Sequence, residues 1–196
     1  MTFTLKEIMY TLSIINEKIE KNKRYLDTLD EALGDGDHGS ELSLGFSRSI
    51  KEINKRDFKD WGELFNYLGW QLIINCESKC VELYGVALIK ASTVGKNKAE
   101  LSLEDFRDVL NKSIIAIKNE GNCEKGDKTV LDGLIPIYEE ICYGIANNLN
   151  EKNIFRNALA ECTKEVEKTR LLVAKKGKAS ALGNKSIGTQ DPGATP

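Results

Sequence analysis

Apolar residues return every three or four positions along almost the whole chain, the spacing that gathers them on one side of an α-helix. Leu5, Ile8, Met9, Leu12, Ile15 and Ile19 form the first stripe, and Thr4 with Glu7 three residues on has the capping-box pattern that starts a helix. Phe65, Leu68 and Leu72 form a second. Phe106, Val109, Leu110, Ile114 and Ile117 form a third, opened by Ser102 with Asp105. Leu131, Leu134, Ile135, Tyr138 and Ile145 make another, and Phe155, Leu159, Cys162 and Val166 the last. No clear run alternates β-branched with polar residues. Pro136 is the only proline before the tail, and its missing amide predicts a kink or boundary in a helical segment, not the end of a domain. The pattern predicts an all-α fold with five or more amphipathic helices.

With 196 residues, 41% of them hydrophobic, the chain suits a single domain over 1–196 with a full-sized core. Its 28 basic and 30 acidic residues leave a net charge of −2, so it lacks the basic surface that phosphate-backbone binding needs. Nucleic acid is therefore excluded as a partner. Lys6 and Glu7 precede any sustained apolar run, which argues against a signal peptide or a membrane span and for a cytoplasmic protein. The five cysteines lack any C-x-x-C pair and fall mostly in helical, apolar surroundings, a setting for reduced thiols. Cys76 and Cys80 are one helical turn apart, but two thiolates without further ligands make a weak metal site.

The unusual chemistry collects in the breaks between helices. In "DEALGDGDHG", Asp35 and Asp37 lie in a glycine-flanked loop just beyond Asp30, so three carboxylates can converge. Such a cluster repels itself unless a hard cation neutralises it, and carboxylates with substrate phosphate are the usual ligands of Mg²⁺. The plain alternative is a solvated turn built from good turn formers. An EF-hand fails on spacing, because counting from Asp35 puts Ser40 where glycine and Phe46 where glutamate are required. His38, the only histidine, is placed to contact phosphate, move a proton, or simply hydrogen-bond within a turn. "GNCEKGDKT" is nearly a P-loop, but Asp127 separates its glycine from its lysine and a helical pattern precedes it. What remains is a turn leading into a helix at Lys128, either presenting amides to an anion or merely capped. The tail, "KKGKASALGNKSIGTQDPGATP", has by composition alone the character of a disordered end.

Taken together, "LGDGDHGSELSLGF", "GDKTVLDGLIPI" and "KGKASALGNKSIGTQDPGATP" resemble, in order and at similar spacing, three blocks of the nucleotide-binding L subunit or domain of dihydroxyacetone kinases. The resemblance covers nearly the whole chain. It implies a closed up-and-down barrel of about eight antiparallel amphipathic helices with nucleotide held by loops at one end. It further implies that Asp30, Asp35 and Asp37 bind two Mg²⁺ ions bridging the phosphates of ADP or ATP. Around that nucleotide it places His38, Gly39, Ser40, Glu41, Lys79, Cys80, Gly121, Val130, Lys178, Asp191, Pro192 and Gly193. The tail, 175–196, becomes a glycine-rich lid. The implied partners are a K subunit that binds dihydroxyacetone and a phosphohistidine-bearing M subunit of phosphotransferase type, which rephosphorylates the resident ADP. No residue here is assigned a catalytic role of its own.

The chain departs from the family in one block. A glycine-rich G-G-A-S-G-P-L-[YF]-G segment is replaced by "ESKCVELYG", which brings Glu77, Lys79, Val81 and Glu82 to positions that small residues occupy. Glu41 stands where asparagine is usual, and Lys178 where arginine is, which loses the planar fork that grips phosphate. Two readings follow: a working phosphotransfer subunit, or a diverged non-catalytic paralogue that acts as a regulatory or ligand-binding partner.

Overall fold

A computed structural model describes residues 2–76 and 78–196. Glu77, one of the replaced loop positions, lies outside the described residues. Among the described residues, seven α-helices account for most of the length: α1 (Leu5–Glu31), α2 (His38–Ile53), α3 (Trp61–Asn75), α4 (Lys79–Gly95), α5 (Leu103–Gly121), α6 (Leu131–Ala146) and α7 (Glu151–Lys168). Short 3-10 segments, Thr169–Leu171 and Lys178–Ser186, follow in the tail. The all-α expectation holds.

Local chemistry starts these helices where the pattern placed them. The Thr4 hydroxyl accepts the Glu7 amide (3.2 Å) while the Glu7 carboxylate accepts the Thr4 amide (2.8 Å), closing the expected capping box. Ser102 and Asp105 do the same for α5, and single caps by Asp60 and Asn150 start α3 and α7. Two residues of the apolar stripes face water instead of the core: Ile15 is 37% and Leu159 68% exposed. Pro136 lies inside α6, fully buried, with helix on both sides.

Neighbouring helices pack in chain order. The α1 and α2 pair is laced by Ser40 to Asp27, Ser43 to Glu20 and Ser47 to Asn16, a descending against an ascending series that fixes them as antiparallel. Between α3 and α4 the backbones nearly touch. A Cβ on Gly69 would meet the Gly85 carbonyl oxygen at 2.6 Å, so these glycines permit a seam no larger residue could form. Gly144 against Ile154 and Gly133 against Val166 give α6 and α7 the same antiparallel register. The largest apolar cluster joins α1, α2 and α3 through Leu12, Leu26, Ile53, Leu64 and Leu68, among others.

One small element has no counterpart in the pattern. Thr2–Thr4 (β1) pairs antiparallel with Glu100–Ser102 (β2), Phe3 opposite Leu101, and Phe3 stacks near Phe106 and Phe155. Three residues are too few for an alternation to register.

Short connections between antiparallel helices sort the loops into two groups. Segments 54–60, 96–102 and 147–150 lie at one end; 32–37, Cys76 and Ser78, 122–130 and the tail meet at the other.

Candidate functional site

The second group of loops surrounds a cavity of about 610 Å³, within the range typical of small-molecule sites. Its acidic floor begins with α1. Asp30, in the last turn, turns its carboxylate onto the following loop and accepts the amides of Gly36 (3.0 Å) and Asp37 (3.2 Å). Gly36 makes the bend at φ +79°, a left-handed conformation that L side chains rarely adopt. Asp37 is then the residue preceding α2, yet its side chain does not cap that helix, which leaves its carboxylate available. Asp30, Asp35 and Asp37 each offer an oxygen within 4.8 Å of the others. Octahedral Mg²⁺ holds its ligands at roughly 2.0–2.1 Å and favours such oxygens, so the donor set fits a hard cation after small side-chain rotations.

The charges already show mutual influence. A hydrogen bond from the Lys178 ammonium in the tail is the main cause holding the Asp35 carboxyl below its ordinary range. Burial, then the nearby Asp35 charge, pushes Asp37 up. His38, the first residue of α2, is only 7% exposed, and its Nε2 is buried without a hydrogen-bond partner among the described residues. Burial lowers its pKa against the opposing pull of Asp30, Asp27 and Asp37. An unpaired nitrogen beside three carboxylates, in a cavity wall, is suited to a phosphate oxygen or a water that a ligand brings.

The turn between α5 and α6 is a capped turn. Its helix begins at Leu131 instead of Lys128, and the Asp132 carboxylate takes the amides of Gly126 (2.6 Å) and Thr129 (2.8 Å). Those amides are therefore taken by the chain's own carboxylate and do not face a ligand anion. Lys128 adopts φ +63° and buries its ammonium under the tail, where it donates to the carbonyls of Ser186, Thr189 (2.7 Å) and Leu172 (3.4 Å). Lysine in a turn gives no sequence signal for this task.

The tail is folded, not loose. Asp191 is 7% exposed; its amide donates to Thr169 Oγ1 (2.9 Å) and its carboxylate accepts the Ala194 amide (2.7 Å). The Tyr84 hydroxyl donates to the Gly193 carbonyl (2.8 Å), and burial pushes the adjacent Cys80 thiol up to about 12. The thiol there is neutral, which disfavours it as a metal-ligating thiolate.

Asp30, Asp35, Asp37, His38, Glu41, Lys79, Cys80, Gly121, Val130, Lys178, Asp191, Pro192 and Gly193 all line the cavity. Gly39 and Ser40 do not. Gly39 lies against the Lys23 carbonyl of α1, and Ser40 gives its amide and hydroxyl to Asp27 (2.8 and 2.7 Å). Both therefore serve the seam between α1 and α2. In the replaced loop, α4 starts at Lys79, whose ammonium pairs with Glu82 (3.0 Å) and approaches Glu120 (3.9 Å). Leu83, Cys123 and Thr129 also line the cavity, as does Glu120, which belongs to no motif.

Comparison with known proteins agrees with the fold. A family described as "DAK2 domain" matches residues 32–196. The ADP-binding subunit DhaL of the PEP-dependent dihydroxyacetone kinase of Escherichia coli is 29% identical over 195 residues, covering 100% of this chain and 93% of that protein. The corresponding subunit of the PTS-dependent kinase of Lactococcus lactis is 31% identical over 190 residues, covering 97% and 91%. Two solved structures of the dihydroxyacetone kinase of C. freundii, one native and one with AMP-PNP and Mg²⁺, align with TM-scores of 0.74 and 0.73. At 22% and 18% identity they show likeness of fold. They cover 98% and 99% of this chain, which spans 32% of each of theirs.

Proposed function

The chain belongs to the DAK2-domain family, and on that premise we propose that it is the nucleotide-holding subunit of a dihydroxyacetone kinase. It would hold ADP or ATP in the 610 Å³ cavity and pass a phosphoryl group to dihydroxyacetone bound on a separate K subunit. The ADP would be recharged in place by a phosphohistidine-bearing M subunit, and all three would be cytoplasmic. The observation that carries the reading is the convergence of Asp30, Asp35 and Asp37 at the floor of that cavity.

Asp30, Asp35 and Asp37 would hold two Mg²⁺ ions, which supply charge neutralisation on the phosphates and on the transferring group. The chain's own residues do the positioning. Asp30 fixes the loop by accepting two amides, so the aspartates meet the ions with their backbone already ordered. His38 Nε2 would take a phosphate oxygen as partner. Lys178 would contribute an ammonium from the tail, and Lys79 would do so from the mouth, replacing the small residues usual in that loop. Leu83, Gly121 and Val130 offer the less polar wall a base requires. Residues 175–196 would form a lid that excludes water.

Calorimetry with ADP and Mg²⁺ tests this directly. Binding that vanishes in Asp35→Ala, with the helical circular dichroism unchanged, is the expected result; no binding at millimolar nucleotide would sink the proposal. A second reading, a non-catalytic regulatory relative, draws on the bulk and charge of the segment that begins α4 and on Glu41 in the wall. It is favoured if the protein binds Mg²⁺ but not nucleotide.

A further inference from the structure

The tail consists of two parts with different attachment. Residues 186–196 are built into the wall through Lys128, Thr169 and Tyr84. Residues 175–185 form an exposed arc closed at a narrow neck, where the Ala174 amide donates to the fully buried Ser186 hydroxyl (2.9 Å). Lys128 pins both strands of that neck through Leu172 and Ser186, and Lys175 fastens its base to Asp127 (3.0 Å). Beyond Lys175, among the described residues, a single ion pair joins the arc to the helices: Lys178 to Asp35. Gly177 (φ +62°) and Gly183 (φ +53°) give the arc its bends, with open space around both.

The acceptor is the notable half of that pair. Asp35 is one of the three clustered carboxylates, and its carboxylate is offered at once to an ammonium and to any cation that the cluster takes. Two positive charges on one exposed carboxylate repel at contact distance, and the divalent ion, also held by Asp30 and Asp37, is the stronger claimant. We propose that Lys178 is an internal competitor of the metal, so that metal uptake releases the 176–185 arc and frees its ammonium before nucleotide arrives. The inference rests on the reading of the three aspartates as metal ligands. It assigns Lys178 a positioning role that sets metal affinity and couples the arc to metal occupancy.

The test uses the full chain and Mg²⁺ alone. Lys178→Met should bind Mg²⁺ more tightly by on the order of threefold, the change equivalent to losing one exposed ion pair. In the wild type, saturating Mg²⁺ should speed tryptic cleavage after Lys185; in Lys178→Met and in Asp35→Asn that cleavage should be fast with or without the ion. Equal or weaker Mg²⁺ affinity in Lys178→Met, or a wild-type cleavage rate unmoved by Mg²⁺, would overturn the proposal. Nucleotide plays no part in these readouts, so a failure to bind ADP would count against the proposed function and leave this result standing. Absence of Mg²⁺ binding in the nucleotide-free wild type would overturn this proposal and leave the proposed function to the calorimetry with ADP, since Mg²⁺ can enter with the phosphates.

Discussion

Asp191 is the residue whose ionisation should be felt most in the stability of the fold. Burial pushes its carboxyl up to about 7, partly offset by the Ala194 amide and the Lys128 ammonium. In the unfolded chain the same group titrates near the ordinary aspartate value, roughly 3.9. Between those values the native state holds a proton that the unfolded state has released. Its contribution is therefore fully present below about pH 4 and is lost as pH rises through about 7. The upper bound, about 1.4 kcal/mol for each unit, is on the order of 4 kcal/mol. Urea unfolding of the metal-free protein at pH 5 and pH 8 checks this: Asp191→Asn should lose less stability between the two than the wild type. An equal loss in both would show that Asp191 ionises freely in the native tail.

At the scale of elements, the seam between α3 and α4 is the most exacting contact. Gly69→Ala would force a methyl group to within 2.6 Å of a backbone oxygen that has no side-chain freedom to yield. Separating the helices to admit it should cost about 1–3 kcal/mol, seen as a lower thermal midpoint with helical content retained. Gly126→Ala, where nothing lies within 4 Å, is a useful contrast, since its penalty comes only from a positive φ. Helix starts such as Thr4 with Glu7 and Ser102 with Asp105 were legible in the sequence because a cap is a local interaction between residues three apart. The converging aspartates were legible for a related reason: glycine-flanked carboxylates in a short loop have few places to go. Lys128, Glu120 and the ribbon of β1 with β2 were not. Each depends on segments brought together only by the fold, such as a lysine at 128 reaching a carbonyl at 189. Gly39 and Ser40, which the resemblance places around the nucleotide, turn toward α1 in this structure, an orientation set by their position on the helix.

For the whole molecule, alternating helix direction is what assembles a cavity from loops far apart in sequence, and Lys128 is where that assembly depends on one side chain. Its ammonium is buried with, among the described residues, no carboxylate in hydrogen-bond contact, held by three tail carbonyls. Burial lowers its pKa, and the Asp191 charge pulls the other way, so the cation is tied to the tail by hydrogen bonds and, once Asp191 ionises above about pH 7, by field as well. Lys128→Met keeps the length and the apolar stem but removes all three donors. Carbonyls left without a partner in a closed site cost about 1–3 kcal/mol each when water cannot reach them, and the cheaper outcome is for the neck to open. The expected result is faster amide exchange across 186–196, with α1 to α7 protected as before, and weaker nucleotide binding because Asp191 to Gly193 no longer hold their wall. Lys178→Met should leave exchange across 186–196 unchanged, since its ion pair lies beyond the neck. If Lys128→Met leaves that segment equally protected, the tail is held without it, by contacts such as those of Thr169, Tyr84, Ala174 and the Arg170 carbonyl, and Lys128 as the pin of the neck is lost as an explanation.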